Sequence, residues 1–359
     1  MTLLSNGRTY LDWNATSIIC EPARKVLFNL INETGNPSSV HLEGRRARIV
    51  LESSRDKIQE LLCINNGRLI FTSGATEAAG LILHNANQRC AIFEHECVKK
   101  WCDVSVLVQD DGQIQESEVP KIRVLQFANS ETGILQNLSE KLYFIDAAQA
   151  IGKIHCNFQN LKPESIIMSS HKICGPAGVG AAFLSEEADF SPLIKGGMQE
   201  HGLRAGTESF MLIAAFSEAV KFSMQLLVDG VWDEIEELRN YMEDEIRNVS
   251  KETIIVGSEN RRLPNTSCIV TPGWKSENQV IELDLKGFSV SSGSACSSGK
   301  LQKSETLMGM GFSESLAQNS LRISLGPHTK KRNIEDFLFA WKELYIGMKR
   351  NIWVTENGK

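Results

Sequence analysis

Several absences narrow the possibilities for this chain. Its 359 residues contain no run of about 18 uninterrupted apolar residues, the length a helix needs to cross a bilayer. The opening MTLLSNGRTYLDW lacks the charged-then-apolar layout of a secretory signal, so the expectation is a cytoplasmic protein. There is no CxxC pair among the nine cysteines, which are scattered at 20, 63, 90, 97, 102, 156, 174, 268 and 296. Neither a zinc ribbon nor a disulfide framework is indicated, and most of these thiols read as ordinary buried side chains. Basic charge is not in excess: 38 basic against 44 acidic residues leave a net charge of -6. That balance gives no general footprint for nucleic acid or an anionic membrane and favours a small molecule or a protein as partner. Internal repeats and low-complexity tracts are also lacking.

What is present is enough chain for two domains of about 100–200 residues each. Seven short β-branched or apolar runs, RLIFTS, CAIFEH, SVLVQ, IRVLQFAN, LYFIDAAQ, SIIMSS and GVGAAFL, alternate with helix-like stretches through the first two hundred residues. The alternation predicts an α/β domain with a mainly parallel sheet. Several of the runs are apolar on both faces, as strands covered on two sides should be, and functional groups are then expected at their carboxyl ends. Beyond residue 207 the pattern changes. ESFMLIAAFSEAVKFSMQLL and DEIEELRNYMEDEIRNV repeat apolar residues at helical spacing, which predicts a long helix pair. TSCIVTPG and LRISLGP read as strands and IEDFLFAWKELYIGMKR as a C-terminal helix, together a second, α+β domain.

Four segments carry residue types suited to chemistry. SSHKICGPAGVG delivers His171 and Lys172 from a strand into a glycine-proline turn. A lysine there becomes a Schiff-base residue if its surroundings draw its pKa below about 10.4; in isolation it is a solvated charge. LIFTSGATEAAGLIL runs from a strand through Ser73 and Gly74 into a helix beginning near Ala75 and Thr76. The free amides of that first turn form an anion site fit for a phosphate, or else a capped helix start served by Thr76 and Glu77. In YFIDAAQAIG, Asp146 ends a strand and Gln149 follows three residues later, a carboxylate and an amide able to hold a pyridine nitrogen and a ring oxygen, or a simple helix cap. In FSVSSGSACSSGK, Cys296 sits among Ser, Gly and Ala, an accessible setting in which a thiolate can react. IFEHEC adds His95 at another strand end, suited to proton exchange, and LRISLGPH adds Arg322, a fork for a carboxylate. Each is ordinary alone. Together they are what one cofactor reaction requires.

In this order, with TYLDWNAT, GNPSSVH, FTSGATEAAG, FEHE, IDAAQAIGK, SSHKICGP, GGMQEHGLRAGT, SSGSACSS and LRISLG spread over nearly the whole chain, the sequence resembles the cysteine desulfurases. These are class V, fold-type I pyridoxal phosphate enzymes, and the likeness is to the group with a long cysteine-bearing loop. The resemblance implies a mainly parallel seven-stranded sheet in a large domain over residues 12–228, and a smaller α+β domain from residues 1–11 and 229–359. It implies that Lys172 bonds the cofactor, Asp146 partners the pyridine nitrogen, Gln149 donates to the ring hydroxyl and His95 stacks on the ring and moves protons. Ala75, Thr76, Ser169 and His171 match the phosphate positions, and Thr207 matches the threonine that reaches the phosphate from the other subunit of a homodimer. Arg322 and Asn129 match substrate-binding positions, and Cys296 the nucleophile that takes sulfur from L-cysteine as a persulfide, for later passage to an acceptor or iron-sulfur scaffold protein. No metal is implied.

The chain also departs from that pattern. Ser130 stands where the family usually has a second asparagine, Cys174 where it favours tyrosine, and Ala177 where it favours lysine. Material is missing between His95 and Asn129 and between Gln136 and Tyr143, so helices flanking the sheet should be trimmed. Two other readings remain compatible with the residues. One is a selenocysteine lyase or another class V lyase or aminotransferase. The other is a degenerate paralogue that keeps the fold and serves as a binding partner.

Overall fold

A computed structural model describes residues 7–138, 142–188, 190–293 and 303–357 of the chain. The first strand, β1 (Thr9–Tyr10), pairs in parallel with Phe288–Ser289 far along the sequence. Two helices come next, α1 (Glu21–Leu30) and α2 (Leu42–Leu62). Proline sits in the first turn of α1, where no amide is needed for the helix ladder. The ring of His41 caps α2 by accepting from the Gly44 amide.

The alternating region then runs β2 (Gly67–Thr72), α3 (Ala75–Leu83), β3 (Arg89–Ala91), α4 (Glu96–Lys99), β4 (Asp103–Val106), β5 (Val124–Gln126), β6 (Phe144–Asp146), α5 (Phe158–Leu161), β7 (Ser165–Ser169) and β8 (Gly180–Ser185). Each of the seven apolar runs supplies one strand. Five join in the order β2-β8-β7-β6-β5, while β3 and β4 form a separate parallel pair beside β5. A register shift between Cys90 and Ala91 interrupts β3, and no ladder from it to β5 forms among the described residues. Within the five, β5, β6 and β7 are parallel, and β8 runs against both β7 and β2.

The period-two geometry of strands divides the core between two faces. Leu69, Phe71, Ile145, Ile166, Met168 and Ala181 pack in the cluster that receives α2. Their neighbours Ile70, Val124, Phe144, Ile167 and Ala182 pack with α3. Burial on both sides explains why these runs carry no polar alternation, and each fully buried Ile or Phe contributes about 1.5–3 kcal/mol. Between His95 and Asn129, where material is missing, α4 has only four residues, and residues 107–123 contain no helix.

The long helix pair is α6 (Phe210–Val228) and α7 (Val231–Val249), joined at Gly230 with φ 70°, a left-handed turn that glycine takes at little cost. Among the described residues α6 alone has the length and hydropathy to cross a bilayer, yet it packs against α1 and α2 and gives Ile213, Phe216 and Val220 to the core. The second core gathers around β9 (Ile254–Ile255), β10 (Thr266–Val270), α8 (Ser276–Leu285), β11 (Phe288–Ser289) and β12 (Ser291–Ser292), then α9 (Glu305–Gly309), α10 (Glu314–Ala317), β13 (Ser320–Ser324) and α11 (Lys331–Asn357). Its antiparallel sheet has the order β12-β13-β10-β9. Leu11, Trp232, Trp274 and Trp341 share this core, with the Trp341 and Tyr345 rings stacked at 5.3 Å.

Candidate active site

A cavity of about 790 Å³ opens where the segments following β2, β3, β5, β6 and β7 meet Gly293, Lys303, Glu305, Thr306 and Arg322 of the second core. It lies at the carboxyl ends of those strands, where an α/β sheet leaves side chains and helix termini unopposed. The structure brings Ala75, Thr76, His95, Asn129, Asp146, Gln149, Ser169, His171, Lys172 and Arg322 to this one cavity. Thr207 is exposed and does not line it, and Cys296 lies outside the described residues.

The anion seat is built by α3. Its N-cap is Gly74, with no side-chain cap, so the first-turn amides at Ala75 and Thr76 lack intrahelical acceptors and border the cavity. Both readings of this motif are partly met, because the Ser73 amide donates to Glu77 Oε2 at 2.8 Å. Burial pushes the Glu77 carboxyl up, but the Arg204 guanidinium, 2.7 Å away, and Ser73 outweigh it and hold it below its usual value. A side chain at Gly180 would bring its Cβ within 2.7 Å of Gly74 Cα, so the close approach of β8 to this turn requires glycine.

Lys172 ends a three-residue 3-10 turn, Ser170–Lys172, directly after β7. The N-terminal segment fastens that turn: the Ser17 amide and hydroxyl donate to His171 O at 2.7 Å each, and the Cys174 amide donates to Ser17 Oγ at 2.6 Å. Lys172 Nζ itself donates to Asn14 O at 2.6 Å and Ala15 O at 3.0 Å. Burial, joined by the Arg322 charge, draws its pKa down to about 8, while Asp12 and Asp146 act in the opposite sense. The same burial, with Lys172 beside it, takes His171 down to about 4, leaving a neutral ring at pH 7.

Asp146 is the last residue of β6 and accepts from the Ala148 amide at 2.9 Å. Burial pushes its carboxyl up, opposed by that amide and by His95 and Lys172. Gln149 Nε2 donates to Asn14 O at 2.9 Å and its Oε1 accepts from Lys153 Nζ at 2.6 Å. Arg322 is buried; Nη2 pairs with Asp12 at 2.8 Å, Nη1 donates to Ser130 O at 3.3 Å, and Nε has no partner among the described residues. Among the described residues, two of its five N–H groups are thus engaged within the protein, leaving donors for a planar carboxylate. Replacing the fork by the point charge of Arg322→Lys is expected to raise KM for an amino-acid substrate by about 10- to 100-fold with a smaller change in kcat, measured by steady-state kinetics.

One expectation needs correction. His95 is not at a strand end: β3 stops at Ala91, and His95 sits four residues on as the N-cap of α4. The Glu94 amide donates to Ala91 O in the intervening turn. Asn129 lines the cavity, but its polar atoms serve the loop. Oδ1 accepts from the Glu131 and Thr132 amides and the Thr132 hydroxyl, and Nδ2 donates to Phe93 O. These bonds fix the loop and occupy one of the two Nδ2 hydrogens, while Asn129 still borders the cavity. At Ser130 the main-chain carbonyl accepts from Asn14 Nδ2 at 3.2 Å and from Arg322, contacts that any residue type at 130 would keep.

Asn14 was not singled out from sequence, yet it is the hub of the site. Its carbonyl receives Lys172 and Gln149, its Oδ1 receives Lys153 and Asn265, and its Nδ2 donates to Thr266 Oγ1 at 2.8 Å. Lys153 is buried against it, and desolvation, with the nearby Lys172 charge, lowers its pKa to about 7. Two buried carboxylates also line the cavity. Glu94 and Glu131 each carry an oxygen without a partner among the described residues, and burial raises both carboxyls. An open helix N-terminus, a buried carboxylate, a lysine of lowered pKa and an imidazole in one cavity form a donor set that fits pyridoxal phosphate.

Comparison with known proteins agrees with this chemistry. The family "Aminotransferase class-V" matches residues 9–98 and 108–337. "Cysteine desulfurase" of Cereibacter sphaeroides is 31% identical, over 92% of this chain and 94% of the relative. "Cysteine desulfurase IscS" of Dictyoglomus turgidum is 30% identical over 90% and 91%. The crystal structure of a NifS-like protein from Rickettsia africae superposes with a TM-score of 0.87 at 28% identity, covering 94% of this chain and 99% of that one. The chain belongs to the class-V aminotransferase family and, within it, to the pyridoxal-phosphate-dependent cysteine desulfurases.

Proposed function

We propose that this chain moves the sulfur of L-cysteine onto Cys296 as a persulfide, releases L-alanine, and passes the sulfane sulfur to an acceptor protein for iron-sulfur cluster assembly or transfer-RNA thiolation. Pyridoxal phosphate, when bound, supplies an electron sink for bond breaking at the substrate Cα. The observation that carries the reading is Lys172 Nζ, drawn down to about 8 and placed in the same cavity as Asp146 and Arg322. Near neutral pH part of such an amine is unprotonated and can take the α-proton at Nζ. The Arg322 fork receives the substrate carboxylate. Asp146 supplies the buried anion that keeps a facing ring nitrogen protonated, and the α3 amides with Ser169 and His171 hold the phosphate. His95 moves a proton at its ring nitrogen.

The sulfur step balances without an external oxidant. The Cys296 thiolate forms an S–S bond to the substrate sulfur, the C–S bond breaks with its electron pair left on carbon, and that carbon is protonated to alanine. A homodimer is part of the proposal. Thr207 is exposed and away from its own chain's cavity, as a residue serving the cavity of a second copy must be. A cytoplasmic setting is consistent with the eight free thiols among the described residues. The test is to supply L-cysteine and a reductant to the purified holoenzyme and quantify alanine and sulfide. Equal yields are expected. Turnover confined to selenocysteine or to amino-acid and keto-acid pairs would assign a different class V activity, and no turnover with a scaffold protein still bound would make the chain a binding partner.

A further inference from the structure

We propose that Cys97 is a positioning residue for His95, holding the imidazole neutral with its proton on Nε2. The observation is a contact pattern at one ring nitrogen. His95 Nδ1 lies 3.2 Å from the Cys97 backbone nitrogen and 3.0 Å from Cys97 Sγ. The backbone N–H can only donate, so Nδ1 presents its lone pair to α4. A thiol at the same nitrogen is then stable as an S–H donor. Burial, first, and then the Asp146 charge push the Cys97 thiol well above its ordinary value, which keeps that hydrogen in place at working pH. With Nδ1 accepting, the hydrogen of a neutral ring must reside on Nε2, since one ring nitrogen's hydrogen bond fixes the state of the other.

Thr76, in the first turn of α3, acts on the thiol against burial and Asp146 and lowers its pKa. His95 and Cys97 both line the cavity, beside Thr76. The titratable groups facing the ring are Asp146 and Glu96, which favour its charged form, and Lys172 and Lys99, which oppose it. Burial is the largest influence and also favours the neutral ring. Protonation at Nδ1 would set a new N–H against two existing donors. Cys97 therefore adds a directional bias to what burial does without direction.

This inference rests on the proposed role of His95 for its kinetic consequence but not for its spectroscopic one. In the holoenzyme, nitrogen-proton correlation spectra of the histidine side chains should show His95 with a protonated Nε2 and an unprotonated Nδ1. In Cys97→Ala the backbone N–H remains the donor to Nδ1 but the S–H is lost, so the preference for Nε2–H should weaken measurably and the acidic limb of the kcat profile should move to higher pH. At neutral pH kcat should fall about fivefold with KM nearly unchanged. Cys97→Ser, whose hydroxyl can donate to the same nitrogen, should restore both the tautomer and the pH profile. A wild-type tautomer and pH profile in Cys97→Ala would overturn the proposal even if that variant were less stable. An altered tautomer in a protein with no desulfurase turnover would uphold it and count instead against the proposed activity.

Discussion

Cys296→Ser is expected to abolish sulfide release from L-cysteine while leaving pyridoxal phosphate bound. The size of the effect comes from nucleophile chemistry. A thiolate is accessible near neutral pH, whereas a serine hydroxyl needs a base to activate it, and S–S bond formation has no counterpart for oxygen in this site; the loss should be about 1,000-fold or more. Cofactor retention is a consequence of the fold, because the residues assigned to the ring and phosphate come from the segments after β2, β3, β6 and β7. None belongs to the segment that carries residue 296. That segment's flanks do meet the cavity: Gly293 and Lys303 both line it, and a Cβ at Gly293 would stand 2.2 Å from Glu131 Oε1. Absorption spectra with a sulfide assay on the same samples separate the two outcomes. Turnover at the wild-type rate in the serine protein would remove the persulfide step, while a colourless protein would mean that residue 296 supports cofactor binding instead.

How much of this site could be read from residue order depended on whether a feature was local. The seven apolar runs were legible as strands because burial on two faces removes polar alternation from the residues themselves. Lys172 was legible as a strand-end lysine because Gly175 and Pro176 mark a turn just beyond it. The structural reason for the glycine is that a Cβ there would lie 2.1 Å from Ser170 Oγ. His95 was misplaced because CAIFEH continues the apolar pattern of a strand past its end. The chain turns after Ala91, and nothing local distinguishes Phe93 in a turn from Phe93 in a strand. Asn14 escaped notice altogether. Its importance comes from Lys153, Asn265 and Thr266, 139 to 252 positions away in sequence, and an asparagine in LDWNAT looks like any turn asparagine. The commitment of Asn129 to its own loop was equally hidden, since only the folded turn shows three donors converging on Oδ1.

Lys172→Ala is expected to remove turnover by about 1,000-fold or more, since in the proposed function this one residue both bonds the cofactor and takes the α-proton. The structure adds a sharper form of this prediction, because it gives the amine a titration range. Burial and Arg322 draw Lys172 down to about 8, so the sign is that reactivity rises as pH increases through about 8, not through the usual lysine value of about 10.4. At pH 8 about half the amine would be free, against less than about one part in a hundred for an unperturbed lysine. Protein stripped of cofactor, treated with an amine-acylating reagent over a pH series and digested, should show modification of the Lys172 peptide with a midpoint near the lower value. Arg322→Gln removes one of the charges that depresses the amine and should move that midpoint upward. Borohydride treatment of the holoenzyme should then leave a pyridoxyl mass on the same peptide. A midpoint at the ordinary lysine value would mean that the cavity does not tune the amine. An adduct found elsewhere, for instance on Lys153, would move the cofactor bond to the other buried lysine beside Asn14.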